Sequence, residues 1–255
     1  MVRKAFLRRS EPSDVHPTTS GTFRVLDSPR AADERLLLDV ESHDPTYVTV
    51  GDGTASDEGS TADDDADGGR DGANEDADEG RDADDGADGG ADGGRNEKSD
   101  AAGERLLPGY LVDATLEWVD DEPTIAECSV RERTLFAFAD DATNLFEAAT
   151  EACREARTEG IASDVTKGTD GDVNGALYAF AEQGGERDLF AEFRSGVRPL
   201  EPLIERAAAG VDDPQEVFVL RPADLPCVVV YIVLRKGSML ADTVRDTYDC
   251  PRPEE

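Results

Sequence analysis

Histidine and lysine are scarce in this chain of 255 residues, and their scarcity disfavours several classes of function. The two histidines are His16 and His43, so a catalytic site built on an imidazole would depend on one of them. Only four lysines accompany 22 arginines, and 59 Asp and Glu outnumber these basic residues, which argues against nucleic-acid binding that ignores sequence. A glycine-rich loop ending in Gly-Lys-Ser/Thr is also missing, so a nucleotide phosphate site of that type is not expected.

Cysteines at metal-binding spacing are missing too. The chain has four cysteines and no Cys-x-x-Cys pair, so neither a structural zinc site nor a cofactor held by thiolates is expected. Disulfide frameworks belong mainly to small secreted domains, and we do not expect one here. Cys153 and Cys227 fall on predicted apolar faces, which indicates small buried core residues.

The sequence also lacks long apolar runs. A membrane-spanning helix needs about 20 consecutive apolar residues, and no run in the sequence approaches that length. Residues 1–20 are basic but have no apolar core of signal-peptide length. We therefore expect a soluble cytoplasmic protein that does not contact a membrane.

Acidic residues are abundant: 59 Asp and Glu give a formal net charge of −33. Residues 52–100 hold 19 acidic and four basic residues, a net charge of −15, so −18 of the total lies elsewhere in the chain. An acidic tail on an ordinary protein would not account for the net charge of −18 outside residues 52–100. In molar salt the Debye length falls to about 3 Å, and such an acidic surface is tolerated there. The composition predicts a halophilic source, with haloarchaea as the candidate group.

The longest apolar run extends from Pro226 to Arg235 (PCVVVYIVLR). It is rich in β-branched residues and is bounded by a proline and by Lys236-Gly237. Short continuous runs of this kind are typical of a strand buried on both faces. We predict that this segment is the central strand of a sheet.

The first half of the chain predicts a β-rich part formed by residues 21–50 and 105–139. Alternation of apolar and polar residues is clearest from Tyr110 to Trp118. The whole part fits a small antiparallel sheet or an OB-like barrel. Residues 1–20 and the Asp/Gly/Ala-rich insertion 51–104 are predicted to be disordered, because they cannot bury enough apolar surface. The predicted strands cover 23–26, 36–40, 47–50, 110–118, 126–130 and 135–139.

Residues 140–250 predict an α+β domain with antiparallel strands and about four helices. Apolar residues at helical spacing indicate helices near 145–156, 189–193, 200–207 and 240–248. Asp141 or Thr143 is the predicted N-cap of the first helix, and Ser238 that of the last. Strands are predicted at 176–181 and 217–220, with the second of these antiparallel to the central strand because their connection is short. The fold class is therefore α+β.

The segment Asp170-Gly171-Asp172-Val173-Asn174-Gly175 matches the first half of a calcium-binding loop. Position 12 of that loop is Ala181, so the bidentate carboxylate is missing, and a strand is predicted where an EF-hand needs a helix. We favour a plain turn, with Asp170, Asp172 and Asn174 as the candidate metal ligands if the alternative holds.

Polar residues at strand ends give a second candidate site. Glu182 closes one predicted strand, Arg221 and Asp224 lie between the two strongest strands, and Arg187 and Asp188 lie upstream of them. If those strand ends converge, these side chains would form a cleft with both signs of charge. The alternative is a set of loop salt bridges and turn caps, which we favour.

Four segments resemble a family of uncharacterised haloarchaeal proteins: FRVLDSP at 23–29, TDGDVNGALYAFAEQ at 169–183, FVLRPADLP at 218–226 and ADTVRDTYDCPR at 241–252. The resemblance covers roughly residues 22–252 apart from the insertion. That family has no assigned activity, so the resemblance implies a group of organisms and no mechanism.

Three functions remain open. The leading hypothesis is a non-enzymatic binding or protein-interaction module, expected to have an apolar groove without convergent ionisable groups. The second is a nucleic-acid-binding protein that uses the barrel-like part. The third is an enzyme that uses Glu182, Arg221 and Asp224. The second hypothesis depends on exposed Arg24, Arg131 and Arg133 beside Tyr110 or Trp118.

Overall fold

A computed structural model describes residues 16–31, 33–50, 105–182, 185 and 187–254. Most of the predicted basic extension and the whole predicted insertion 51–104 lie outside the described residues. Residues 18–20 were predicted to be disordered, but they form the start of the first strand.

The first sheet has five antiparallel strands in the order β3-β2-β1-β4-β5. The β4–β5 hairpin turns at Asp120 and Asp121, whose φ angles of 51° and 67° give the left-handed backbone that suits a tight turn. The edge strands β3 and β5 approach each other without pairing, so the sheet is curved but open. Of the two predicted forms, the small antiparallel sheet is the one present. The strands are β1 (Thr18–Asp27), β2 (Glu34–Asp39), β3 (Pro45–Thr49), β4 (Leu111–Val119) and β5 (Glu122–Glu132).

The second sheet also has five strands, in the order β6-β9-β10-β8-β7. All its neighbours are antiparallel except β6 and β9, which run parallel. Four helices accompany it in the described chain, which confirms the α+β class. The elements are β6 (Leu135–Ala142), α1 (Glu147–Glu159), β7 (Ile161–Lys167), β8 (Val173–Ala181), α2 (Leu189–Arg194), α3 (Glu201–Ala207), β9 (Glu216–Pro222), β10 (Cys227–Val233) and α4 (Met239–Thr247).

Strand β10 is the central strand of the second sheet, as its sequence predicts. Every residue from Cys227 to Val233 is buried. Odd-numbered side chains from Cys227 to Val233 pack beneath α1 and α4. Even-numbered side chains from Val228 to Ile232 face α2, α3 and the apolar side chains of β1 and β2. A strand covered on both faces gains from burial of nearly all of its side chains, at about 25 cal/mol per Å² of apolar area.

Two buried ion pairs join elements that are distant in the sequence. Arg24 of β1 donates from Nε to Glu201 of α3 at 2.8 Å, and its Nη1 donates to the carbonyl of Gly109 at 2.7 Å. Glu216 of β9 is fully buried and accepts from Arg245 Nε at 2.5 Å and from Arg252 Nη2 at 2.9 Å. The second pair holds α4 and the chain after it against the second sheet.

The structure corrects three sequence-based predictions. The strand predicted at 135–139 belongs to the second sheet as β6, and not to the β-rich first half. Strand β7 was not predicted. Asp141 and Thr143 were expected to cap α1, whereas its N-cap is Phe146, which makes no side-chain capping bond.

The cysteines differ from prediction as well. Cys153 and Cys227 are fully buried, as predicted, but they form a disulfide between α1 and β10. The expectation of plain core thiols is therefore wrong for this pair. Within the described chain, none of the helices combines the length and the apolar character that crossing a membrane would require.

Candidate functional site

Several strands of the second sheet end at the same edge. Strands β6, β8 and β9 point the same way, because β10 lies antiparallel to both β8 and β9. Their carboxyl ends therefore meet at one edge, and they bring Asp140, Glu182 and Arg221 to it. Asp188, the N-cap residue of α2, joins the same group because its carboxylate bonds to Arg221.

Arg221 is held by two carboxylates. Its Nε donates to Asp140 Oδ1 at 2.6 Å, its Nη2 also donates to Asp140, and its Nη1 donates to Asp188 Oδ2 at 2.9 Å. Asp188 is oriented by its other oxygen, which accepts the backbone N–H of Ala191 at 2.9 Å. The guanidinium carbon also lies 4.8 Å from the centroid of the Phe190 ring. Such a planar fork suits two carboxylates at once, in a way that a lysine ammonium does not.

These contacts set the ionisation of the cluster. The hydrogen bond from Arg221 lowers the pKa of Asp140 below its ordinary 3.8. For Asp188 the backbone hydrogen bond from Ala191 lowers the pKa most, and Arg221 adds to the effect. The bond to Asp140 raises the pKa of Arg221. The cluster is therefore fully ionised at neutral pH.

Glu182 stands apart from this clamp. Partial burial raises its pKa above the ordinary 4.5, and Arg221 opposes the rise through its positive charge. The Glu182 side chain makes no hydrogen bond or ion pair with the residues that the structure describes, although its backbone N–H donates to Pro226. It is a partly desolvated carboxylate, and the cation whose charge acts on it, Arg221, is already bonded to two other carboxylates.

Glu182 lies on the wall of a cavity of about 350 Å³. One wall is the last turn of α1, and the other is formed by the end of β8 and the start of β10. The lining residues are Arg157, Thr158, Glu159, Gly160, Ala181, Glu182 and Pro226. A cavity of this volume is large enough for a small organic ligand.

The disulfide ties the two walls of this cavity together. Cys227 follows Pro226 and pairs with Ala181 across the β10–β8 ladder. Cys153 lies one helical turn before Arg157 on α1. The cystine therefore fixes the end of α1 against the strand ends, and this fixes the width of the cavity.

The three predicted cleft residues are only partly brought together. Glu182 and Arg221 interact through their charges. Asp224 is exposed, and its side chain makes no hydrogen bond or ion pair with a described residue. Asp188, which the sequence placed in the candidate cleft, is brought to Arg221. Asp140 was not recognised from the sequence as a partner of Arg221.

The segment Asp170–Asn174 forms the β7–β8 hairpin turn. The backbone N–H of Asp172 donates to Asp170 Oδ1 at 3.1 Å, and Asn174 Oδ1 accepts from Thr166 Oγ1 at 2.9 Å. The strand predicted after the turn is present as β8. In the part of the chain with described coordinates, no group of three or more His, Cys, Asp and Glu side chains is placed to hold a metal ion.

The residues proposed for nucleic-acid contact are largely engaged inside the protein. Arg24 and Tyr110 are buried. Trp118 is half-buried and donates from Nε1 to Thr19 at 3.1 Å. Arg133 lies over the ring of Tyr110, and Arg131 pairs with exposed Asp113 at 3.6 Å. These side chains do not form an exposed aromatic surface flanked by arginine.

The fold and the site define an α+β protein with two mostly antiparallel five-stranded sheets and a polar cavity at one sheet edge. The chain belongs to the Family of unknown function (DUF6663), whose model matches residues 15–253. The resemblance to a family without an assigned activity is confirmed to that extent. Neither the curated proteins nor the solved structures contain a match to this chain.

Proposed function

We propose that this protein is a binding protein whose ligand is a small molecule with a cationic group, held in the cavity beside Glu182. The observation that supports this most is the Glu182 carboxylate itself. It is partly desolvated on a cavity wall and lacks a bonded cation among the described residues. A partly buried carboxylate without a partner costs stability, and a cationic ligand would offset that cost.

The rest of the lining fits the same charge. The cavity receives the carboxyl end of α1, where the helix dipole places partial negative charge and the last carbonyls lack helical partners. Glu159 adds a second carboxylate, and Thr158 adds a hydroxyl that donates or accepts. Arg157 is the cation of the wall, so a ligand that also carries a small anionic group fits as well.

This proposal keeps the leading hypothesis of a binding module and changes its chemistry. The groove expected for it was apolar and free of ionisable groups, whereas this cavity is polar and contains two carboxylates. The enzyme hypothesis receives less support. Arg221 is already bonded to Asp140 and Asp188. The Asp224 side chain bonds to neither Arg221 nor Glu182. A protein partner or a nucleic acid finds no specific support in these contacts.

The source and location remain proposals. The acidic composition outside residues 52–100 supports a halophilic source. A cytoplasmic location stays a prediction. The buried cystine counts against that location, since disulfides are uncommon in the cytosol of mesophiles.

The test is a thermal-shift titration with putrescine, agmatine and lysine as probes, in parallel on three proteins. The wild type is compared with Glu182→Gln, and Asp224→Asn is the control because it removes the same charge from an exposed side chain nearby. A probe present at about 100 times its Kd stabilises the folded state by about 2.7 kcal/mol, which raises the melting temperature by several degrees.

We expect that rise in the wild type and in Asp224→Asn, and its loss in Glu182→Gln. Without a probe, Glu182→Gln is expected to melt at the same temperature as the wild type or higher, because it removes an unpaired desolvated charge. The proposal fails if none of the probes shifts the wild type, or if the shift persists in Glu182→Gln.

A further inference from the structure

Strand β7 is an edge strand with an apolar outer surface. It pairs with β8 on one side only. Ile161 and Val165 are 56% and 49% exposed, and they lie on one face of the strand with exposed Ser163 between them. Exposed edge strands offer unpaired backbone groups to another strand, and natural proteins usually protect them.

The backbone hydrogen bonds show which groups of β7 are available. Gly160 accepts from the N–H of Ala181, in the same register as the β7–β8 ladder. Bonded positions alternate along an antiparallel pair, so residues 162, 164 and 166 bond to β8. The N–H and C=O groups of Ile161, Ser163 and Val165 therefore point away from the sheet. The outward N–H of Val165 already donates to the exposed Asp164 carboxylate at 2.8 Å, and pairing with another strand would replace that bond.

We propose that β7 pairs antiparallel with β7 of a second copy of this chain, with Ser163 on the two-fold axis. The pairing joins the two second sheets into one sheet of ten strands. Each outward backbone group finds a partner, because Ile161 lies opposite Val165 of the other copy and the two Ser163 residues lie opposite each other. Two apolar cross-strand pairs form on one face of the joined sheet.

Charge selects this register over the neighbouring one. A register centred on Asp164 would place the two Asp164 carboxylates directly opposite each other, which is destabilising. The register centred on Ser163 places Asp164 opposite Ala162.

The dimer is expected to depend on salt in an unusual direction. The two Asp164 residues lie diagonally, about 7–8 Å apart, and each copy carries a formal charge of −33. Salt at about 1 M shortens the Debye length to about 3 Å, so repulsion between the copies is largely screened. The apolar contacts are not weakened by potassium chloride. Association therefore strengthens as the salt concentration rises, whereas an interface held by ion pairs would weaken.

Sedimentation of the full chain at about 0.1 M and about 2 M KCl tests the proposal. We expect the dimer Kd of the wild type to be at least about tenfold lower at the higher salt concentration. Val165→Lys places a charge in the interface, and its dimer Kd is expected to rise by at least about tenfold. Val197→Lys is the matched control: it adds the same charge at an exposed valine after α2, and its dimer Kd stays within about twofold of the wild type.

Cross-linking tests the register. In a Cys128→Ser background, Ser163→Cys is expected to form a disulfide-linked dimer, because opposing Cα atoms in a hydrogen-bonded pair are about 5.5 Å apart. Asp164→Cys is expected to cross-link poorly, because its two copies lie on a diagonal. A monomeric wild type at about 2 M KCl, or equal dimerisation by the wild type and Val165→Lys, overturns the proposal. Neither outcome bears on the cavity, since the thermal-shift titration reads Glu182 alone.

Discussion

Removal of the Cys153–Cys227 disulfide gives the largest single stability change expected for this chain. The bond closes a loop of 74 residues. In the chain-entropy model a loop of that length removes about 15 cal/mol/K from the unfolded state, or about 4 kcal/mol at 25 °C. Domains commonly have a free energy of unfolding of about 5–15 kcal/mol, so the bond carries a substantial share of the total.

The measurement has two stages. Alkylation of the unfolded chain, followed by intact mass, is expected to modify two cysteines before reduction and all four after it. Urea unfolding is then measured for the oxidised chain, the reduced chain and Cys153→Ala/Cys227→Ala. The reduced chain is expected to lose about 4 kcal/mol, and the double variant about 5 kcal/mol.

The double variant separates the disulfide from packing of its sulfur atoms. Both cysteines are fully buried, so replacement by alanine leaves a small cavity and adds about 1 kcal/mol to the loss. Reduction alone keeps the sulfur atoms in place. If reduction lowers the free energy of unfolding by less than about 1 kcal/mol, the entropic argument is wrong for this loop. If four cysteines are alkylated before reduction, the bond does not form.

Two further predictions concern buried and clustered charges. Glu216→Gln leaves Arg245 buried without a carboxylate, and urea unfolding is expected to show a loss of about 3 kcal/mol, against less than about 1 kcal/mol for exposed Asp242→Asn. In a carboxyl NMR titration, Glu182 is expected to have a pKa above 4.5, so its contribution to stability is present at low pH and lost as the pH rises through that pKa. Asp140 is expected to have a pKa below 3.8, and its contribution to stability is lost as the pH falls through that pKa. Arg221→Gln is expected to raise the pKa values of Asp140 and Glu182. If either pKa is unchanged in that variant, Arg221 is not the group that lowers it.

Elements marked by a strong local pattern could be predicted from the sequence. The continuous apolar run after Pro226 became β10, and the alternation from Tyr110 to Trp118 became β4. Ser238 caps α4 as predicted, with its hydroxyl accepting the N–H of Ala241. These signals are local, because burial of one or both faces determines the residue types directly.

The sheet to which a strand belongs is not a local property. Leu135 to Ala142 reads as a strand in sequence, but its partner is β9, more than seventy residues later, in a parallel pair. Strand β7 (IASDVTK) was missed for another reason. An edge strand with one buried side chain, Ala162, has no clear alternation of apolar and polar residues. The disulfide was missed because residues 153 and 227 come together only through the packing of α1 on β10.

In the candidate site, too, some residues could be predicted from a local pattern and others depend on the fold. The sequence drew attention to Glu182 and Arg221 because both follow apolar strands, and the common direction of β8 and β9 brings them to one edge. Asp140 could not be assigned to Arg221, because that pairing requires β6 to lie beside β9. The cavity required the end of α1, which the disulfide and the packing of the helix place beside the strand ends.

The order of the strands explains why Glu182 has no bonded partner among the residues that the structure describes. Strand β9 lies next to β6, so the Arg221 fork reaches Asp140 directly and takes Asp188 with its other nitrogen. Strand β8 is two positions away, on the far side of β10, so Glu182 receives only the long-range field of the same guanidinium. The Arg221 charge acts on three carboxylates but is bonded to only two of them, Asp140 and Asp188. The third carboxylate, Glu182, therefore still attracts an added cation. The cavity beside Glu182 provides the space in which such a cation is bound.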